Sequence, residues 1–587
     1  MADSELHSEG KLHEEGTSCE GTSHDGDNIH AEAELHETGT IVNHDLQNKT
    51  EEKDKDTYLH GAKLAIVFLG LGLAMFVMVL DQTIILPAIP VIASDFDAVN
   101  EIGWISSSYF LTQCSSIFLW GQILAFYGQK IPLLVAIAIF EVGSLIAAVA
   151  HNFITFIVGR AVAGIGAAAI GVAIFSISAV IVELKRRPVF FGLFGLIFVI
   201  GSSFGPLIGG SLTSNTTWRW CFYLNLPIGG VSMVAVAFCI PRIKPRPRSG
   251  NSTAPNLVSA LRRIFGDHPV LKDGGTLSKI CALDWIGSLL VLGGMTSLTL
   301  ALISGGSAGW DTATVIAGFT CSGVALILLL LWEILVMRDE GMIPLRIARF
   351  RSLWGSAGVA FTRMVTVIST MSYLPTFMQA TRHQSAINSA ISTLPYSIGM
   401  AVFAIVGSVV VQKTGRLKWA LCFGPAVSAV GAGLLFTISA NTSYAKIAGF
   451  QVIGSLGVGL VMMNAILAAQ AELHENGLVA DIPQASALVA FTQLLGGSLG
   501  GSIGGALLTS GLRRYLPSDL PSSTTDALLQ SVDTIWTLSG ATQESAIEAY
   551  ARALDNVFIT GAACGALGFF FALICRNINI KGKNFRK

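Results

Sequence analysis

Charge is what this sequence is short of. Only 13% of its 587 residues are Asp, Glu, Lys or Arg, and 52% are hydrophobic. A soluble globular chain carries about 25% charged residues, so an ordinary soluble protein of several domains is excluded. The nine cysteines include no CxxC pair. Cys114, Cys239, Cys321, Cys422, Cys564 and Cys575 lie in or at the ends of apolar runs and Cys19 stands near the N-terminus, so neither a zinc site nor a disulfide framework is indicated. There is no HExxH and no GxxxxGK[ST], which speaks against a membrane enzyme of the zinc-hydrolase kind and against an ATP-driven pump within this chain. Nothing in the sequence asks for a metal, a cofactor or a nucleic acid.

The charge that is present is divided. Residues 1–60 hold 16 acidic against 4 basic residues, while the remainder holds 22 against 33. An acidic tail with few large apolar side chains cannot bury enough surface to fold, so residues 1–60 read as a disordered cytoplasmic tail. Seven of the 11 histidines lie there, and a solvated tail accounts for them better than metal binding does. The tail has no apolar run of signal-peptide length, so the first membrane span is expected to act as the targeting signal.

Spanning a bilayer takes about 20 mainly apolar residues. Fourteen such stretches start near positions 62, 103, 131, 154, 190, 222, 284, 313, 353, 387, 418, 446, 485 and 555. Placing both termini in the cytoplasm and alternating the connections puts 25 Lys and Arg inside and six outside, the bias expected of cytoplasmic loops. The segment from Glu472 to Asp481 dissents, being placed inside without a Lys or Arg. The divisions that follow are a bundle over 61–240, a basic linker over 241–283, two spans over 284–336, a second bundle over 353–575 and a basic tail over 576–587. The stretch 511–554 is expected as a large outer loop with a short interfacial helix. The sequons at Asn215 and Asn441 fall on short outer loops, weak candidates for glycosylation.

A charge inside a bilayer costs at least a few kcal/mol, which makes each one a functional candidate. Asp81, 18 residues after Lys63, lies roughly 27 Å from the inner edge of span one, and Arg160 on the descending fourth span lies roughly 10 Å below the outer edge. They can pair or share a water-filled cavity. The pair is either a proton-coupling site, since an opposite charge and desolvation move a carboxyl in opposite directions, or a static clasp. Glu141, near the middle of span three, is a second proton-carrier candidate or a buried hydrogen-bond donor. Arg363, on span nine, stands without an evident partner in sequence and is expected in the cavity, meeting an anionic substrate group. Gln113, Tyr373, Gln379, Asn464 and Gln493 are further cavity candidates.

Small residues mark close packing. Gly201, Gly205, Pro206, Gly209 and Gly210 put a small face and a bend on span five, and Gly496-Gly497, Gly500-Gly501 and Gly504-Gly505 put an uninterrupted small face on span thirteen.

Leu80-Asp81-Gln82-Thr83 with Pro87 and Pro90, Gly121 to Lys130, Arg160-Ala161-Val162-Ala163-Gly164-Ile165-Gly166, the Gly201–Gly210 face and Trp218 to Gly229 occur in an order that resembles the major facilitator superfamily. More narrowly, the chain is similar to the fourteen-span drug:proton antiporters of fungi that export toxins and secondary metabolites. The resemblance covers about residues 60 to 575. It implies an all-α membrane fold of two six-helix bundles with two extra central spans, and substrate binding between the halves by alternating access. It also implies that Asp81 and Arg160 serve proton transfer, that the span-five face is the antiporter motif, and that the proton gradient stands where a cofactor would. The partners implied are a hydrophobic or amphipathic small molecule, protons and the bilayer of the plasma or the vacuolar membrane, with the protein acting as a monomer. A proton-coupled importer of a siderophore or other nutrient is the alternative on the same fold. Phe126 and Tyr127 stand where the family's inner-loop motif carries acidic and basic residues, and Gln493 stands where relatives often have an Arg nearby.

Overall fold

The computed structural model describes residues 58–98, 103–240, 283–339, 341–517 and 520–581. Most of the acidic tail, most of the 241–283 linker and the last residues of the basic tail lie outside the described residues. The body that begins at Leu59 is helical, and among the described residues only one isolated β-bridge occurs, Arg416 with Asn579.

Among the described residues fourteen long helices follow one another. They are α1 (Gly61–Ile84), α2 (Gly103–Tyr127), α3 (Lys130–Ala148), α4 (Phe153–Ile181), α5 (Arg187–Asn215), α6 (Asn225–Cys239) and α7 (Trp285–Ala308). Then come α8 (Ala313–Leu331), α9 (Arg351–Met371), α10 (Leu394–Thr414), α11 (Lys418–Leu435), α12 (Tyr444–Met462), α13 (Ile482–Tyr515) and α14 (Ala541–Ile574). Twelve helical stretches among the described residues are long and apolar enough to cross a membrane, two fewer than the fourteen expected. The two that fall short are α2 and α9, and the reason is what they bury. Helix α2 sinks Ser108, Gln113, Ser115 and Gln122, and α9 sinks Ser352, Ser356, Thr362, Arg363, Thr366, Ser369 and Thr370.

The pairing of helices repeats. In the first half α1 packs on α5 and α6, α4 on α2 and α3, and α3 on α6; in the second α9 packs on α13 and α14, α12 on α10 and α11, and α11 on α14. Every pairing in one set has its counterpart eight helices later, the pattern of an internal structural repeat. The turns agree: Gly128 (φ 79) joins α2 to α3 and Gly415 (φ 75) joins α10 to α11, each in the left-handed region that glycine enters without penalty.

Small-residue stripes make the corresponding contacts. Gly201, Gly205 and Gly209 lie under Val79, Thr83 and Ile84 of α1, and Gly496, Gly500 and Gly504 lie under Phe361, Val365 and Tyr373. A glycine every fourth residue keeps to one face and lets two backbones close up. Thr83 Oγ1 adds a hydrogen bond to the Gly201 carbonyl at 3.2 Å, and Pro206 leaves α5 without one internal bond.

Helices α7 and α8 form a pair, with α7 against α2 and α13. Helix α8 is nearly unburied, and Leu326, Ile327, Leu330 and Leu331 along it are exposed. A helix that is apolar on its exposed faces has lipid as its natural solvent.

The two halves meet at the end of the molecule that carries Lys130, Lys185, Arg187, Lys413 and Lys418, here called the basic end. There α5 packs on α10 and α13 on α2; a Cβ on Gly121 would meet Ala487 at 2.9 Å, and Phe118 and Phe491 have ring centroids 4.7 Å apart. Helix α13 is buried from Ile482 to Val489, but from Ala490 to Thr509 only its three stripe glycines are. The halves therefore press together at the basic end and part towards the other.

Polar contacts fasten that closed end. The Asp284 backbone N–H donates to Gln122 Oε1 at 3.0 Å, and Trp332 Nε1 donates to Asp284 Oδ1 at 2.9 Å. Gln484 Nε2 donates to the Gly341 carbonyl at 3.0 Å, and Arg346 forks onto both oxygens of Asp481 at 2.8 Å. Asp481 is 2% exposed and Arg346 18%. Arg346→Ala removes the fork from a buried carboxylate, and thermal unfolding should show a loss of up to about 3 kcal/mol, the low side for buried pairs because Arg346 keeps some water. Adding Asp481→Asn should recover most of it.

The fourteenth helix starts earlier than expected, at Ala541 instead of near 555. The described residues of 511–554 form a folded cap. Ser522–Gln530 is helical, and Leu512, Leu528, Ile535, Ala546, Ala549, Tyr550 and Ala553 share an apolar core that keeps the first turns of α14 wound.

Candidate functional site

Asp81 lies one turn before the end of α1, where Gly201, Gly205 and Gly209 hold that helix against α5. Its carboxylate accepts from Arg160 Nη1 at 2.7 Å through one oxygen and from Asn225 Nδ2 at 2.8 Å through the other. Asp81 is 0% exposed and Arg160 1%. Asn225, the first residue of α6, also reaches Ser144 Oγ of α3 at 3.2 Å. The Arg160 guanidinium lies over the Tyr109 ring at 4.4 Å and 5.6 Å from the Phe222 ring, faces that attract a cation when water is absent. Five elements thus converge on one buried ion pair: α1, α2, α3, α4 and the junction into α6. Charge-assisted bonds of this kind are the strong ones, and both carboxylate oxygens are used.

Glu141 lies one turn before Ser144 on α3. Its carboxylate is against Gly229 of α6, both oxygens are buried without a hydrogen-bond partner, and it is within electrostatic reach of Asp81. The cluster therefore contains two carboxyl groups, Asp81 with both oxygens bonded and Glu141 with neither.

Next to this cluster, between the halves, is a cavity of about 790 Å³ of atom-free space counting its mouth. Gln82, the neighbour of Asp81, is in its wall, as are Gln113 of α2, Arg363 of α9 and Gln493 of α13. The rest of the wall is apolar, with Met75, Met78, Phe175, Phe198, Met462 and Met463 prominent. The ion pair lies one residue behind the wall and is shut off from the cavity in this conformation.

The other cavity candidates lie elsewhere. Tyr373 donates its hydroxyl to the Gly501 carbonyl at 2.7 Å and closes α13 onto the short helix Tyr373–Arg382. Gln379, on that same helix, donates to Ser389 Oγ at 2.9 Å and accepts from Trp536 through its carbonyl. Asn464 follows the break at Met463 and donates to the Leu460 carbonyl at 2.6 Å; Met463 and Ala465 beside it are in the wall, and it is not. Gly210, last of the span-five residues, faces open space near Pro87. Asn215 and Asn441 are exposed at the end away from the basic one.

Asn225, Tyr109, Phe222 and Ser144 complete the cluster and were not singled out from sequence. Asn225 had a signal, an amide inside an apolar run and within the Trp218–Gly229 block. Phe222 lies in the same block, and Tyr109 had no signal.

Residues 71–350 match the family model described as Major Facilitator Superfamily. The chain is 32% identical to efflux pump aflT of Aspergillus parasiticus, over 89% of this chain and 97% of that protein. It is 32% identical to the rubrofusarin-specific efflux pump aurT of Gibberella zeae, over 91% of this chain and 93% of that protein. Among solved structures, the proton:xylose symporter XylE superposes with a TM-score of 0.55 at 12% identity, over 87% of this chain and 96% of that one. At that identity the likeness is one of fold alone.

Proposed function

The chain belongs to the major facilitator superfamily, a family of membrane transporters, and from that premise we propose that it exports an amphipathic small molecule in exchange for protons. The observation that carries the reading is the fully buried Asp81–Arg160–Asn225 set one residue behind the cavity wall. In this reading all fourteen long helices span the bilayer, and the basic end faces the cytoplasm, where positive loops collect. The conformation described above is then closed to the cytoplasm.

The chemistry follows from the geometry. In this conformation a guanidinium and an amide satisfy both oxygens of the Asp81 carboxylate. If α1 and α4 shift when the halves rock, Arg160 and Asn225 withdraw, the desolvated carboxylate becomes costly and takes a proton. The aromatic seat over Tyr109 gives the Arg160 guanidinium somewhere to remain while Asp81 is neutral. The Gly201–Gly209 stripe supports this motion, because small residues let α1 slide on α5 without repacking large side chains. Glu141, behind Asp81 and without a partner, is the next carboxyl in line to receive the proton.

Two results test this. A deletion strain should lose export of at least one metabolite and become sensitive to it, and the intact gene should restore both. In the restored strain Glu141→Gln should slow export by about tenfold, equivalent to ~1.4 kcal/mol on the barrier, without lowering the amount of protein. Full export with Glu141→Gln would remove Glu141 from the relay, and an unchanged metabolite profile on deletion would count against export itself.

A further inference from the structure

We infer that the molecule carried is an organic anion, a carboxylate or phenolate on an aromatic body, and that Arg363 is the residue that selects it. This rests on the export reading, since it names the class of substrate for the same cavity.

The cavity wall contains one charged side chain and no acid. Arg363 is 7% exposed, its Nε is buried without a partner, and among the described residues it makes no hydrogen bond or ion pair. The Tyr396 hydroxyl is within its electrostatic reach and brings no opposite charge. Arg160 shows what a partnered guanidinium at membrane depth looks like here: a carboxylate at 2.7 Å and two aromatic faces. A cation at such depth without a counter-charge is costly, and arginine cannot escape by losing its proton. The site is complete only when an anion enters it.

The rest of the wall describes the rest of the molecule. Gln82, Gln113 and Gln493 offer neutral donors and acceptors suited to hydroxyl or carbonyl groups. Met75, Met78, Met462 and Met463 offer polarizable thioethers that adapt to flat rings. A planar guanidinium takes a carboxylate through two parallel bonds, so the charged end docks against α9 and the ring system lies towards the methionines of α1 and α12. Helix α9 is the repeat counterpart of α1, so each half contributes one charged residue from its first helix, Asp81 behind the wall and Arg363 in it.

The test is binding of 3-hydroxy-2-naphthoate and of its methyl ester to the purified full-length protein in lipid nanodiscs, read by their fluorescence against empty nanodiscs. Wild type should bind the acid at least about tenfold more tightly than the ester, the scale of a charge-assisted bond. Arg363→Gln should lose that preference by weakening the acid alone, and Arg363→Lys should keep part of it. Arg363→Met should raise the melting temperature of the ligand-free protein, because it removes an uncompensated charge; a guanidinium kept for packing would give a fall. The same acid-to-ester ratio in wild type and Arg363→Gln, or no binding of the acid by wild type, overturns the inference. Binding needs no gradient. Discrimination without export would sink the export reading alone, and export with no preference for acids would sink this one alone.

Discussion

Gly209→Ala should leave almost no folded protein in the membrane, while Gly210→Ala, one residue along, should be indistinguishable from wild type. The difference is geometric. A Cβ on Gly209 would run into the Ile84 carbonyl, a backbone atom that cannot rotate away, whereas on Gly210 the first atom it meets is Pro87 Cβ at 3.8 Å. Overpacking a buried site usually costs about 1–3 kcal/mol and more when backbone must move. Here α1 would have to lift off α5 along its whole last turn, which carries Asp81. Membrane abundance and monodispersity after detergent extraction read the outcome. Normal accumulation of Gly209→Ala would mean that the α1–α5 contact is looser than the stripe implies.

The second large effect concerns the ion pair. Asp81→Asn and Arg160→Ala each leave one buried charge without its counter-charge, and breaking such a pair costs about 3–5 kcal/mol. Either variant alone therefore confuses folding with function. Asp81→Asn combined with Arg160→Met removes both charges at similar volume, a change that is often neutral or stabilising for a buried pair. The double variant should accumulate and melt like wild type, yet export driven by a pH gradient should fall to the level of vesicles without protein. A static clasp predicts the opposite, a double variant that folds and transports.

Much of this was legible in the sequence because membrane interiors make charge conspicuous. Asp81, Arg160, Glu141 and Arg363 each interrupt an apolar run, and each has a definite place: two in one ion pair, one beside it, one in the cavity wall. The glycine stripes were legible as packing faces because a four-residue spacing stays on one side of a helix. Which glycine of each pair in α13 faces inward was not, since adjacent positions differ only in azimuth. Azimuth also explains Tyr373 and Gln379. They follow Arg363 in sequence, but α9 ends at Met371 and the short helix after it carries them out of the cavity wall, where they hold that helix to α13 and to Ser389. Asn225, which supplies half of Asp81's hydrogen bonds, was legible as an amide within the Trp218–Gly229 block, but nothing in its spacing paired it with Asp81. The early start of α14 was hidden because residues 541–554 are too polar to read as a span.

The central claim is that Asp81 holds a proton while Arg160 and Asn225 are withdrawn, in the form that meets substrate from the cytoplasm, and gives it up when substrate binds and the buried pair closes as in the conformation described above. It is tested most directly by adding the metabolite lost from the deletion strain to purified protein in weakly buffered solution and recording the pH. Wild type should release a proton that the Asp81→Asn/Arg160→Met variant does not, at matched occupancy. Equal proton release from the two proteins would contradict the claim.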